Sequence, residues 1–486
     1  MHLLLRDRRN TIGRQADPGI ARRERAGKGS TSSLASSTAS GGASVEQASI
    51  GQLAGYRRIL LLQGPNGPFF AGLRDQLEQY GSCVWKINFN GGDDLFYHTG
   101  NILRFRDKMG GWEDFLLAFL ARERIEAIVV FGDCRRPHRI AARVARKKGI
   151  AFWVFEEGYV RPDYITLEAG GVNADSPLGS LSLDQIPDIA KPPRHLAFHH
   201  TFRKMAWYSF LYFAAGLAGA CRYPQYRHHK PFGLRELSCW LRAGYRRPLY
   251  QHREKGTIKR LLSHDHPPFF LVALQVHNDS QIRMHSPWRR VEDFIEWTMF
   301  SFSRYAPAGS MLVIKHHPMD RGHTDYTRMI SACARRLGVA SRVAYVHDAH
   351  LPSLLQRCKG LVTVNSTVGL QALFHSVPVI VLGRSFYAKE GVTFLGSLDE
   401  FWSSGVPLDK AASTRLRNYV IRASQINASF YAKAGSADIG YAAHRLKTLG
   451  MRLACIASLV TLDVLDGTPF DISGKLRWTL AIFGVG

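Results

Sequence analysis

IEAIVVFGDCRRPHRIAARVARKKGIAFWVFEEG, residues 125–158, is the stretch whose reading decides the fold. Its ends, IEAIVVFGD and IAFWVFEEG, are short runs rich in apolar, β-branched and aromatic residues, as strands buried on both faces are. Between them, CRRPHRIAARVARKKG spaces its apolar residues as a helix does and stops at a glycine. Strands buried on both faces that alternate with helices mean a parallel α/β sheet.

The same grammar extends in both directions. Upstream, RRILLLQG (57–64) and GSCVWKINF (81–89) read as strands. Downstream, FFLVALQV (269–276), SMLVIKHHP (310–318), VAYVHD (343–348), GLVTVNSTVG (360–369) and PVIVLGR (378–384) read as strands, with VEDFIEWTMFSFSRYA and LQALFHS as helices between some of them. This predicts a second parallel α/β domain. A chain of 486 residues with 45% hydrophobic content supports two cores, because single cores rarely grow past about 250 to 300 residues. The expected organisation is a basic Ser/Gly-rich disordered tail over 1–52, a Rossmann-like domain over 53–260, a second over 261–405, and a helical segment with a further tail over 406–486. Between the halves, about 190 to 265, lies a basic aromatic segment with MAWYSFLYFAAGLAGA (205–220) at its centre. It reads as an interdomain helix with one buried face or as a membrane-interface patch; at about 16 residues it is too short to span a bilayer comfortably.

Composition narrows the partners. Lys plus Arg number 64 against 39 Asp plus Glu, a formal charge of +25, so the surface attracts polyanions. The basic residues are spread along the chain and match no nucleic-acid motif, so no nucleic-acid partner is expected. Seven scattered cysteines include no CxxC pair, so neither a zinc site nor a disulfide framework is suggested, and a reducing cytoplasm is expected. No metal and no cofactor are expected. The start, MHLLLRDRR, is the reverse of a secretory signal's order, and no apolar run reaches spanning length.

In an open parallel sheet, ligands bind beyond the carboxyl ends of the strands, so polar residues that follow apolar runs are the candidates. GPNGPFF (64–70) is a stiff turn that could bring backbone, and Asn66, close to a ligand; an ordinary strand-to-helix turn is the alternative. FEEGYVRP ends a strand on Glu156 and Glu157, and strand alternation expects one carboxylate to face the cleft as general acid or base while the other supports it. ALQVHNDSQIRMHS carries Gln275, Asn278 and Asp279 in a dense polar run, where Asp279 is either a nucleophile toward an anomeric carbon or a helix-capping aspartate. VIKHHP places Lys315, His316 and His317 at another strand end: alternation sends the two histidines to opposite faces, and a histidine held before Pro318 can hydrogen-bond a leaving phosphate beside the Lys315 cation. The paired histidines lack HExxH spacing, which ranks metal below phosphate. TVNSTVGLQALF leads through Asn365, Ser366 and Thr367 into a helix, where hydroxyls and backbone N–H groups form an anion site or simply cap the helix.

Together, FEEG, KHHP and NSTVG resemble motifs of bacterial glycosyltransferases that use CMP-activated acidic sugars, such as the sialyltransferases of GT-B fold. More closely, QGPNGPFF, LQVHNDSQIRMHS and VNSTVGLQALFHSVPVIVLG resemble the capsule polysaccharide biosynthesis/export family of KpsS and LipB type, which are retaining β-Kdo transferases. The resemblance covers about residues 56 to 400. It implies a GT-B-like fold, two Rossmann-like domains facing each other across a cleft, and transfer of Kdo from CMP-Kdo, the donor substrate, to a (lyso)phosphatidylglycerol-type lipid at the inner face of the cytoplasmic membrane. It implies other capsule biosynthesis and export proteins as partners. Carried over, Gln275 and Asp279 form a QxxxD element with Asp279 as nucleophile or donor-face stabiliser, Glu156 or Glu157 is the acid/base, and His317 with Ser366 and Thr367 falls on the CMP phosphate. The competing readings are a non-catalytic scaffold of the export machinery and an epimerase-like enzyme acting on a UDP-sugar.

Overall fold

A computed structural model of the chain describes residues 45, 47–190, 192, 196–199, 201–226, 234–404 and 409–432. Most of the expected N-terminal tail and all of the C-terminal tail after 432 lie outside the described residues. The folded chain begins earlier than the sequence reading expects, because Ile50–Leu53 already forms a turn with Ile50 and Leu53 buried.

The described strands form a seven-stranded sheet and a five-stranded sheet. In chain order the first takes β1 (Arg58–Leu61), β2 (Cys83–Asn88), β3 (Asn101–Arg104), β4 (Ala127–Phe131), β5 (Ala151–Glu157) and β6 (Ile165–Ala169). The second takes β7 (Phe269–Ala273), β8 (Met311–Lys315), β9 (Val343–Val346), β10 (Gly360–Thr363) and β11 (Val379–Val381). A last short strand, β12 (Gln425–Ile426), returns to the first sheet. Five parallel strands of each sheet share one winding, β3-β2-β1-β4-β5 and β9-β8-β7-β10-β11, which reverses direction between β1 and β4 and between β7 and β10. Such reversals open crevices at the carboxyl ends of the strands. This is the two-domain, GT-B-like α/β architecture.

Alternation places the cores. In β7, Phe269, Leu271 and Ala273 join one buried cluster while Phe270 and Val272 join another on the opposite face. β4 divides likewise, with Ile128 and Val130 on one side and Ala127 and Val129 on the other. The strand–helix–strand unit is as expected: helix Arg136–Lys148 has Pro137 in its first turn, buries His138, Ala141, Val144 and Ala145, and ends at Gly149, which adopts φ 66°. Arg146, Lys147 and Lys148 occupy the last turn, where the helix dipole favours cations.

One difference concerns the sheet edge. β6 pairs antiparallel with β5, and β12 antiparallel with β6, where the sequence reading expects parallel strands alone. The link from Glu157 to Ile165 is too short for a crossover, which needs a dozen residues or more, so the chain turns back on itself.

The basic aromatic segment forms two helices, Thr201–Ala218 and Leu234–Leu261. The first buries Tyr208, Leu211 and Tyr212 against helix Gly91–Phe96. The approach is close enough that a Cβ on Gly91 would lie 2.1 Å from the Ala215 carbonyl oxygen, and one on Gly92 2.6 Å from that of Tyr212. Its other face exposes Phe202, Trp207, Phe210 and Leu217. Among the described residues no helix is long and apolar enough to cross a membrane.

Candidate functional site

The crevice of the second sheet opens at the β7/β10 reversal, and one side chain bridges it. Gln275, just past β7, donates from Nε2 to Asp279 Oδ2 (3.0 Å) and to Asn365 Oδ1 (3.1 Å), while its Oε1 accepts the Asn365 backbone N–H (3.3 Å). Asp279 Oδ1 accepts the Gln281 N–H at 2.9 Å and caps helix Ser280–His285. The capping role weighed from the sequence is therefore present, and the same two donors fix the plane of the carboxylate inside the crevice.

At the end of β8 the two histidines meet different surroundings, yet both border one cavity, where alternation expects opposite faces. His316 turns into a buried cluster with Tyr326, Tyr345 and His347, and the Tyr345 hydroxyl lies 2.6 Å from its Nδ1. His317 stays half-buried, and its Nδ1 accepts the Met319 N–H at 3.2 Å. Burial, reinforced by the Lys315 charge, pushes the His317 pKa down to about 4, so the ring is neutral near pH 7 with its proton on Nε2. Burial lowers Lys315 to about 8, which leaves it mostly cationic at neutral pH. At the end of β10, Ser366 Oγ accepts the Val368 N–H at 3.2 Å, the capping geometry, while Thr367 makes no side-chain cap bond.

The first sheet contributes the end of β5. Glu156 Oε1 accepts the Glu157 N–H at 2.9 Å, and burial lifts the Glu156 carboxyl to about 7. Burial also raises Glu157, opposed by the Arg161 guanidinium. Both carboxylates line the same cavity, where alternation alone expects one; they sit at the strand's open end, beyond which the chain leaves the sheet at Gly158.

That cavity, of about 470 Å³, takes walls from both sheets. Glu156, Glu157, Arg161 and Asn173 meet Gln275, Asp279, Lys315, His317, Asn365, Ser366 and Thr367 around it. Two candidates stay outside. Asn278 is exposed on the loop before Asp279, and Asn66 donates to Ser209 Oγ at 3.3 Å, so the 64–70 turn rests on the aromatic helix Thr201–Ala218. Other polar lining residues include Arg161, which lies within FEEGYVRP, and Gln281, which lies in the dense polar run and reaches Cys134 Sγ across the cleft at 3.4 Å. Asn173 and Gln371 also line the cavity without having been candidates, and Asn173 adopts φ 57°, which no sequence pattern signals. Chemically, the cavity offers a carboxyl that titrates near neutrality, a neutral imidazole donor, a lysine cation and an oriented carboxylate. That set suits substitution at a carbon whose leaving group is an anion.

Comparison with known proteins agrees with the capsule resemblance. The family described as "Capsule polysaccharide biosynthesis protein" matches residues 126–431. The chain is 39% identical over 381 residues to the capsule polysaccharide export protein KpsS of Escherichia coli, an alignment that spans 77% of this chain and 97% of that protein. It is 41% identical over 386 residues to the capsule polysaccharide modification protein LipB of Neisseria meningitidis, spanning 77% of this chain and 92% of that one. Among solved structures, the β-Kdo 2,7 transferase KpsC of Thermosulfurimonas dismutans aligns with a TM-score of 0.36 at 14% identity, over 68% of this chain and 88% of that chain. With a family match over most of its length and relatives near 40% identity along almost their whole lengths, this chain belongs to the capsule polysaccharide biosynthesis family.

Proposed function

We propose that the protein is a glycosyltransferase that moves Kdo from CMP-Kdo to a (lyso)phosphatidylglycerol-type lipid, beginning the linker on which capsular polysaccharide is assembled and exported. The observation that carries the reading is the composition of one cavity: Glu156 and Glu157 from the first sheet meet Asp279, Lys315 and His317 from the second. In the first step Asp279 attacks the anomeric carbon, and the bond to the CMP phosphate breaks with its electron pair on phosphate oxygen. The His317 Nε2–H and the Lys315 cation face that developing charge. In the second step the acceptor hydroxyl attacks the same carbon, Glu156 takes its proton, and the bond to Asp279 breaks. Two inversions give net retention.

The place of work is the inner face of the cytoplasmic membrane, where the protein binds peripherally. Support comes from the exposed Phe202, Trp207, Phe210 and Leu217 on the aromatic helix and from the +25 charge, which an anionic leaflet attracts. The test is to incubate the protein with CMP-Kdo and lyso-phosphatidylglycerol and to weigh the lipid. One added Kdo per lipid is expected. An unchanged lipid with retained binding to other capsule proteins makes the protein a scaffold, and stabilisation against heat by UDP-sugars but not CMP-Kdo redirects the donor.

A further inference from the structure

Helix Leu234–Leu261 runs past the strand ends of the second sheet and is fastened there repeatedly. Arg246 Nη1 donates to the Arg321 carbonyl (2.9 Å), the Tyr250 hydroxyl donates to Asp325 (3.2 Å), and the Glu254 carboxylate accepts the backbone N–H groups of His347 (2.9 Å) and Asp348 (3.1 Å). Near its first turn the chemistry changes. Glu236 and Cys239, three residues apart, meet His323 from the loop after β8, and one ligand-type atom of each lies within 4.8 Å of the other two.

The contact is built closely. Gly322 lets the loop reach the helix at this residue, because a Cβ there would stand 2.0 Å from the Cys239 carbonyl oxygen. Cys239 is a buried free thiol. His323 Nε2 lies 3.1 and 3.2 Å from the two Glu236 oxygens, yet its Nδ1 is buried with no hydrogen-bond partner among the described residues. A proton shared with Glu236 sits on Nε2, which leaves the buried Nδ1 lone pair without a donor. Around the group, Trp240 Nε1 donates to Glu236 Oε1 (3.0 Å), and the His277 ring lies against the His323 ring at 5.3 Å, itself held by Asp320 (2.5 Å). Supported ligands of this kind are how proteins orient a metal.

We propose that Glu236, Cys239 and His323 form a zinc site that ties the loop carrying His317 to the long helix. A thiolate, an imidazole and a carboxylate suit Zn²⁺ and disfavour Mg²⁺ and Ca²⁺, which take oxygen ligands; three protein ligands leave a fourth position for water. Binding displaces the Cys239 proton and uses an imidazole lone pair of His323. The sequence reading expects no metal because ligands at 236, 239 and 323 match no spacing rule and are brought together only by the fold. The inference does not depend on the transfer reaction.

The test uses untagged full-length protein purified without chelators. Its zinc content is measured, the metal is stripped, and the apoprotein is titrated with Zn²⁺ and with Co²⁺. About one equivalent of zinc, a thiolate-to-cobalt charge-transfer band and a rise in Tm on adding zinc are expected. C239S should abolish the band, and H323Q and E236Q should each weaken zinc binding by about 100-fold or more. C221S, which alters an exposed thiol, should behave as the parent does. Should C239S fail to fold, H323Q and E236Q decide the question. No retained zinc with no change in Tm, or zinc affinity that survives both H323Q and E236Q, overturns the site.

Discussion

His317 Nδ1 accepts the backbone N–H of Met319 at 3.2 Å, and this single contact sets the proton on Nε2. A burial-depressed pKa of about 4 keeps the ring neutral near pH 7, where its Nε2–H is available as a hydrogen-bond donor. His317→Ala should lower turnover by about 10² or more, the scale of losing a donor to a developing transition-state charge. His317→Gln, which keeps one side-chain donor, should recover part of the loss. Turnover within a few-fold of the parent in a well-folded His317→Ala would remove the ring from the leaving-group site.

Glu156 gives a prediction with a definite sign. Its folded carboxyl titrates near 7, above the ordinary 4.5, because burial penalises the charge. Between those values the folded state holds a proton that the unfolded chain has released. Stability therefore falls as pH rises through this window and then stays low. Glu156→Gln removes the penalty and keeps an oxygen to accept the Glu157 N–H. Its stability should equal the parent's near pH 4.5 and exceed it by up to about 3 kcal/mol above pH 7, while transfer activity collapses. Chemical unfolding at the two pH values checks this, and equal stabilities at both would mean that the carboxyl ionises freely.

The sequence discloses much of this site, and the shortfalls have physical causes. The parallel strands before Glu156, Gln275 and Lys315 are fully apolar runs, and the one before Asn365 is interrupted only by Thr363, so their ends, where side chains turn polar, mark the crevices directly. The antiparallel β6 and β12 escape notice, since ITLEA mixes polar and apolar residues and a two-residue strand carries no period. Asn66 sits beside glycines and prolines as a ligand-binding turn would have it, but the aromatic helix occupies that space, a long-range contact that local pattern does not encode. Glu156 and Glu157 share a cavity because alternation describes a strand's covered length and says little about its end.

Gln275 is the joint of the second crevice. Its Nε2 serves Asp279 and Asn365 together, and its Oε1 takes the Asn365 N–H, so an apolar replacement strands three polar partners, two of them on Asn365. Gln275→Leu should cost about 1–3 kcal/mol of stability and let the Asp279 carboxylate swing. Turnover should fall further than donor affinity does, because orientation matters most at the reacting carbon. A loss confined to donor affinity would make Gln275 a binding contact only.

The aromatic helix should behave as a peripheral anchor. Trp207 and Phe210 stack at 5.7 Å on its exposed face. Replacing both with serine leaves the buried Tyr208, Leu211 and Tyr212 untouched, so the fold should hold while co-sedimentation with anionic vesicles drops. Raising the salt should release much of the parent protein, since surface attraction is screened beyond about 8 Å at physiological ionic strength. Vesicle binding unchanged in the double variant would move the anchor elsewhere on the basic surface.

Asp279 carries the boldest expectation. A retaining transfer through a covalent intermediate needs a carboxylate opposite the departing phosphate, the role proposed for Asp279, whose carboxylate is held in the cavity by Gln275 on one oxygen and by the Gln281 N–H on the other. Those bonds also make it a helix cap, so Asp279→Ala would lose activity for structural reasons alone and cannot decide the matter. Trapping can. With CMP-Kdo present and the acceptor withheld, or with Glu156→Gln blocking the second step, intact-mass analysis should find one Kdo attached to the protein, and peptide mapping should place it on Asp279. Asp279→Asn keeps an oxygen for the cap, sets its amide NH2 against the Gln275 Nε2–H and is a poor nucleophile, so it should fold with a modest loss of stability and carry no adduct. An adduct on another residue relocates the nucleophile, and full turnover in Asp279→Asn leaves this aspartate as a cap and nothing more.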